Sequence, residues 1–131
     1  MIQSSNKKSE LLQLLIVDDE EGFTAILEKR LSKRGITATK ANSGTEAIQI
    51  LRNKEFHCAL VDLKMEDMSG IEVLKIFKKM APELPVIMLT GHGCEESAAE
   101  GLSLGADAYL VKPCTLEDLV ANIRRAAAKS T

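Results

Sequence analysis

Leu11-Leu12-Gln13-Leu14-Leu15-Ile16-Val17-Asp18-Asp19 is the stretch that decides the fold of this 131-residue chain. Its apolar residues run on almost without a break and then stop at two carboxylates. A strand that alternates apolar with polar residues has one wet face, whereas an unbroken apolar run fits a strand covered on both faces. Three further runs have the same character: Cys58-Ala59-Leu60-Val61, Val86-Ile87-Met88-Leu89 and Ala108-Tyr109-Leu110-Val111. A fifth, Ile36 to Ala41, mixes in Thr37, Thr39 and Lys40, as suits an edge strand.

Working outward, helical patterns fill the gaps. Phe23, Ile26, Leu27 and Leu31 recur on one face, read as core-facing, before Gly35 ends that helix. Ser43-Gly44-Thr45-Glu46 and Ser69-Gly70-Ile71-Glu72 are capping-box patterns, each ahead of an apolar stripe. Glu95 to Leu104 reads as a shorter helix closed by Gly105. Thr115 caps a last helix with Leu116, Leu119, Val120, Ile123 and Ala127 on one stripe. Five strand–helix units in alternation predict an α/β fold, a doubly wound five-stranded parallel sheet with five helices on its two faces. Right-handed crossovers favour the flavodoxin-like order 2-1-3-4-5, with the weak second strand at an edge. Residues 1–10 are polar and are expected to form a flexible N-terminal segment ahead of one domain over residues 11–129.

Composition narrows the function. The chain is 45% hydrophobic and 27% charged, as an ordinary globular domain is, and its 3% aromatic content leaves the core to aliphatic residues. A net charge of -2 gives no general attraction to nucleic acid. Lys7-Lys8 and Arg124-Arg125 read as solvated faces. No apolar run approaches the roughly 20 residues of a membrane span, and residues 1–10 lack the apolar middle of a secretory signal. Cys58, Cys94 and Cys114 follow no metal-ligand spacing and read as reduced thiols, so a cytoplasmic location is expected.

In such a sheet ligands bind beyond the carboxyl ends of the strands. The first apolar run ends in Asp18-Asp19, the third in Asp62, the fourth in Thr90, and the fifth is followed by Lys112-Pro113. Strands one and three would be neighbours, so three carboxylates converge. Clustered carboxylates repel, and a hard cation relieves the repulsion; Mg²⁺ suits a site of few carboxylates that also takes a phosphate. With Lys112 and Thr90 opposite, the set matches what a transferring phosphoryl group requires, and a carboxylate can act as nucleophile. Each residue alone has a plainer reading. Asp18 to Glu21 complement a helix N-terminus, and Thr90 and Lys112 are common surface residues.

Taken together, Leu15-Ile16-Val17-Asp18-Asp19-Glu20, Ala59-Leu60-Val61-Asp62-Leu63-Lys64-Met65, Met88-Leu89-Thr90-Gly91 and Tyr109-Leu110-Val111-Lys112-Pro113 resemble the response regulator receiver family. The resemblance covers roughly residues 11–129. It implies a switch of a two-component system or phosphorelay, in which Asp62 accepts a phosphoryl group from a histidine kinase or histidine phosphotransfer protein. It further implies Mg²⁺ held by Asp19, Asp62 and the backbone carbonyl of Lys64, with Asp18 acting through water. Lys112 would pair with the phosphoryl oxygens, and the Lys112-Pro113 peptide would be cis. Thr90 would swing onto the phosphate and Tyr109 turn inward behind it. These movements would reshape the face of the fourth helix, fifth strand and fifth helix for an unidentified protein target, with phosphorylation-dependent dimerisation left open. The same likeness makes Lys64 and His92 tuners of phosphate lifetime, and a bulky cation at Lys64 leads us to expect slow self-dephosphorylation. One position departs from the pattern: Glu66 stands where receivers usually carry Pro, which implies a more mobile loop from Lys64 to Gly70.

Two rival readings fit the residues less well. A haloacid-dehalogenase-type phosphohydrolase needs a second acid two residues after its nucleophile, where this chain has Lys64. A module working by constitutive contacts would not need Asp18, Asp19, Asp62, Thr90 and Lys112 together. Glycine-rich nucleotide loops and readable hydrolytic triads are absent from the sequence. The chain is thus expected to assist its own phosphorylation and hydrolysis without being a turnover enzyme. No DNA-binding effector follows residue 129, so transcription-factor activity is not expected of this chain alone.

Overall fold

A computed structural model describes residues 11–91 and 95–129. Five strands alternate with five helices: β1 (Leu12–Val17), α1 (Glu21–Ser32), β2 (Ile36–Ala41), α2 (Gly44–Asn53), β3 (Cys58–Asp62), α3 (Gly70–Met80), β4 (Val86–Thr90), α4 (Glu95–Ser103), β5 (Ala108–Val111) and α5 (Leu116–Ala128). The sheet is parallel throughout and ordered β2-β1-β3-β4-β5. The predicted architecture and strand order are both found.

Side-chain alternation sorts the strands into two cores. Leu14 and Ile16 of β1 pack with Leu27 and Leu31 of α1 and Leu119 and Ile123 of α5. Leu15 and Val17 point the other way, onto Val73, Leu74 and Phe77 of α3. Burying each such side chain stabilises the fold by about 1.5–3 kcal/mol, so β1 is fixed in register from both faces. α4 lies close over β4, where a Cβ on Gly101 would touch Met88 at 3.4 Å and Ile71 at 3.5 Å.

Several local expectations need correction. Leu11 lies outside β1 and is exposed. The spacing of Ile26 predicts the core face of the first helix, yet it is 57% exposed. Its turn of α1 overhangs an apolar groove with Phe23, Leu116 and Leu119 instead of the sheet. β5 is an edge strand, so its residues are only partly covered and Tyr109 is exposed. The capping box at Ser69 is complete, with Ser69 accepting from the Glu72 amide and Glu72 from that of Ser69. At Ser43 only half of it forms, because the Glu46 carboxylate accepts from the Asn42 amide. Gly35 has φ +79°, a left-handed turn between α1 and β2 that glycine adopts without strain.

Candidate functional site

Parallel pairing brings the carboxyl ends of β1, β3, β4 and β5 to one rim. Register pairs Val17 with Val61, Asp62 with Leu89 and Thr90 with Val111. The polar residues at or just beyond these positions therefore face a common space. Asp18, Asp62 and Thr90 are buried there, while Asp19 is partly exposed. One carboxylate oxygen from each of Asp18, Asp19 and Asp62 lies within 4.8 Å of the others.

Lys112 reaches into this cluster from the β5–α5 loop. Its Nζ is 3.1 Å from Asp18 Oδ2, 3.2 Å from Glu20 Oε1 and 3.6 Å from Asp62 Oδ1. Nζ also stands 4.8 Å from the centroid of the Phe23 ring, whose π-face attracts a cation. The Lys112-Pro113 peptide is cis, as expected. The Lys112 amide donates to the Thr90 carbonyl at 2.6 Å, which fastens the loop to the end of β4.

The electrostatics set Asp62 apart. Its carboxyl is pushed up to about 6, first by burial and then by the charge of Asp18. Lys112 and the amide of Lys64 oppose the rise, and Asp19 adds to it. Burial works to lower the Lys112 ammonium, but the hydrogen bond and charge of Asp18, with Asp62 and Glu20, outweigh it and leave that pKa raised. Such a cluster carries more negative charge than one lysine balances. Its donors are all oxygens, which suits a hard divalent cation such as Mg²⁺ and disfavours a soft metal.

The remaining predicted residues are placed as follows. Thr90 Oγ donates to the Leu110 carbonyl at 3.4 Å, a long bond that is readily exchanged for a better acceptor. Tyr109 sits on β5 with its side chain outward. Lys64 is exposed on the β3–α3 loop, and its backbone amide bonds Asp62. His92 and Cys94 lie outside the described residues. The loop with Glu66 is tied at several points: the Glu66 amide donates to Asp19 Oδ2 at 3.0 Å and the Gly70 amide to the Leu63 carbonyl at 2.8 Å.

Four contributors escaped the sequence reading. Glu20 pairs with Lys112, and Phe23 lies beneath it. Asn42 Nδ2 donates to the Asp18 carbonyl at 3.0 Å. Asp67 accepts from the amides of Gly44 and Thr45, at 3.0 Å each. Glu20 was visible only as one acid in a run at a helix start. Phe23 showed only as part of the apolar stripe of the first helix, and Asn42 and Asp67 act across the fold and leave no periodic trace in the sequence.

Comparison with known proteins agrees with this geometry. A family model described as the response regulator receiver domain matches residues 14–124. The transcriptional regulatory protein ZraR of Escherichia coli K12 is 36% identical over 117 residues, covering 89% of this chain and 26% of ZraR. The chain thus spans about a quarter of that relative. Among solved structures, a response regulator receiver domain protein from Clostridium thermocellum superposes with a TM-score of 0.87 at 34% identity, covering 91% of this chain and 96% of that one. A CheY-like receiver domain protein from Methanospirillum hungatei JF-1 gives 0.87 at 32% identity, covering 92% and 97%. With the strand-end residues, the sheet order and a match across most of its length in agreement, this chain belongs to the response regulator receiver domain family.

Proposed function

We propose that Asp62 is the phosphoacceptor of this receiver and that a phosphohistidine on a histidine kinase or histidine phosphotransfer protein is its donor. The observation that carries the reading is the convergence of Asp18, Asp19 and Asp62 within 4.8 Å, with Lys112 Nζ between Asp18 and Asp62. A carboxylate oxygen of Asp62 forms the new bond to phosphorus as the bond from phosphorus to the donor's imidazole nitrogen breaks. That nitrogen keeps the electron pair. Asp19, Asp62 and the Lys64 carbonyl would hold Mg²⁺, with Asp18 acting through water. When bound, the ion neutralises charge on the carboxylates and on the phosphoryl oxygens.

The chain's own residues do the rest. Burial keeps water from crowding Asp62, and the Lys64 amide orients its carboxylate. Lys112 trades contacts with Asp18 and Asp62 for the phosphoryl oxygens. Thr90 Oγ leaves the Leu110 carbonyl for the phosphate, and Tyr109 turns inward from its exposed position. The exchange biases a two-state element at α4, β5 and α5 and so changes the face offered to a downstream protein. Lys64, exposed beside the acceptor, and His92 tune the lifetime of the phosphate. The domain assists its own phosphorylation and dephosphorylation and is not a turnover enzyme. Signalling from the cytoplasm agrees with the free thiols of Cys58 and Cys114 and with the lack, among the described residues, of a helix long and apolar enough to cross a membrane.

Intact mass after incubation with acetyl phosphate tests the reading. Wild type with Mg²⁺ is expected to gain one phosphoryl group, whereas wild type in EDTA and Asp62→Asn in Mg²⁺ gain none. No gain by wild type from acetyl phosphate or from a phosphorylated histidine phosphotransfer protein would favour a constitutive binding module instead.

A further inference from the structure

The β3–α3 loop, residues 63–69, contains no proline to restrict it. Its ends are fastened, by the Leu63 amide to the Leu89 carbonyl at 3.0 Å and by the Ser69 cap of α3. Its middle is held by two adjacent residues that pull in different directions. The Glu66 amide donates inward to Asp19 Oδ2 at 3.0 Å. The Asp67 carboxylate bonds to α2 instead, taking the Gly44 amide on Oδ1 and the Thr45 amide and hydroxyl on Oδ2, all at 3.0 Å.

Those donors belong to the first turn of α2, whose amides have no partner within the helix. Ser43 satisfies only the Glu46 amide, so Asp67 supplies the rest of the cap from a different part of the chain. A carboxylate at a helix N-terminus also meets the positive end of the dipole. Met68 completes the joint: it lies against Gly44 so closely that a Cβ there would collide with the Met68 side chain and stand 3.0 Å from Val73 Cγ2. Asp67 is held below the usual carboxylate range, chiefly by the Gly44 and Thr45 amides.

We propose that Asp67 is a positioning residue: by strapping the acceptor loop to the N-terminus of α2, it holds the Glu66 amide where that amide orients Asp19 for the cation. The inference rests on Asp19 serving as a ligand of Mg²⁺, as proposed above. Groups that orient a metal ligand commonly alter affinity by about 10–100-fold when removed. Asp67 acts one step further out, through the Glu66 amide, so Asp67→Ala is expected to weaken Mg²⁺ binding by about 3–10-fold.

A simple helix cap would lower stability without touching the site, and Ser43→Ala separates the two roles. It removes the other side-chain cap of α2 and leaves the loop alone. The experiment compares wild type, Asp67→Ala, Asp67→Asn and Ser43→Ala for melting temperature, for Mg²⁺ affinity by calorimetry, and for hydrogen exchange at the Glu66 amide without metal. Both alanine variants are expected to melt lower. Only Asp67→Ala should exchange the Glu66 amide several-fold faster and bind Mg²⁺ more weakly. Asp67→Asn keeps an acceptor oxygen and should fall in between, which also covers poor folding of the alanine variant. Unchanged Glu66 exchange and Mg²⁺ affinity within twofold of wild type, in Asp67→Ala or in Asp67→Asn alone if only that folds, would overturn the inference and leave Asp67 a cap. Wild type that binds no Mg²⁺ would instead overturn the reading of Asp19 on which the inference stands.

Discussion

Lys112 Nζ lies 3.1 Å from Asp18, a side chain only 1% exposed, and it is nearer to that residue than to the proposed acceptor Asp62. The lysine thus serves as the resident counter-ion of a buried carboxylate. Removing one partner of such a pair leaves the other charged and desolvated. Lys112→Met is therefore expected to lose on the order of 1–3 kcal/mol of stability in EDTA. Adding Mg²⁺ should recover part of the loss, because the ion neutralises the same carboxylates. Thermal melts with and without Mg²⁺ check this, and an equal deficit in both would argue against the shared role.

Asp62 gives a pH signature in the absence of metal. Its carboxyl sits at about 6 in the fold, above its ordinary value of 3.8, chiefly because it is buried. Between those two values the folded state binds more protons than the unfolded one, so this residue's contribution to stability falls as pH rises from about 4 to 6. Asp62→Asn has no such charge. In EDTA it should be more stable than wild type above pH 6, by on the order of 1–2 kcal/mol, with the gap closing toward pH 4. Urea unfolding at pH 4 and pH 7.5 measures the difference; a constant gap would contradict the assignment.

Two cysteines should behave differently toward alkylation. The Cys58 thiol is pushed up to about 12, by burial first and by Asp107 second. Thiolate is the reactive form, so Cys58 is expected to remain unmodified by iodoacetamide at pH 8 until the chain unfolds. Cys114 is only partly buried and should react slowly in the native protein. Peptide mapping after timed labelling distinguishes them, and rapid native labelling of Cys58 would show that β3 opens locally.

Gly70 and Gly22 predict opposite outcomes for the same substitution. A Cβ on Gly70 would press into the Asp62 carbonyl and stand 2.8 Å from Leu63 Cα, both backbone atoms that cannot swing aside. Gly70→Ala should cost about 2 kcal/mol or more and slow phosphorylation by displacing Asp62. A Cβ on Gly22 meets nothing within 4 Å, so Gly22→Ala in α1 should gain up to about 1 kcal/mol. Denaturant midpoints for the two variants settle the contrast.

The legible part of the fold was the part with a period. Unbroken apolar runs gave β1, β3 and β4, and Ser69 and Thr115 marked true helix starts, because burial and capping act on residues near in sequence. Asp18, Asp19, Asp62, Thr90 and Lys112 were readable because parallel strands carry their ends to one rim. Ile26 misled because its spacing fits the core face, while the groove it overhangs depends on where α5 lies. Exposure of β5 follows from its place at the sheet edge and not from its own apolar residues. Asp67 and Asn42 escaped for a related reason: each bonds a group more than 20 positions away, and no local pattern records that.

The pairing of Lys112 with Asp18 spans 94 positions of chain. During synthesis the three carboxylates emerge well before the cation that balances two of them, because β5 and its loop follow the other four strands. A nascent chain that has reached only α4 carries an acidic rim without its lysine, and no shorter fragment holds the full set. On the proposed reading, competence to accept a phosphoryl group is therefore a property of the finished sheet. It reports completion of folding before it reports any signal.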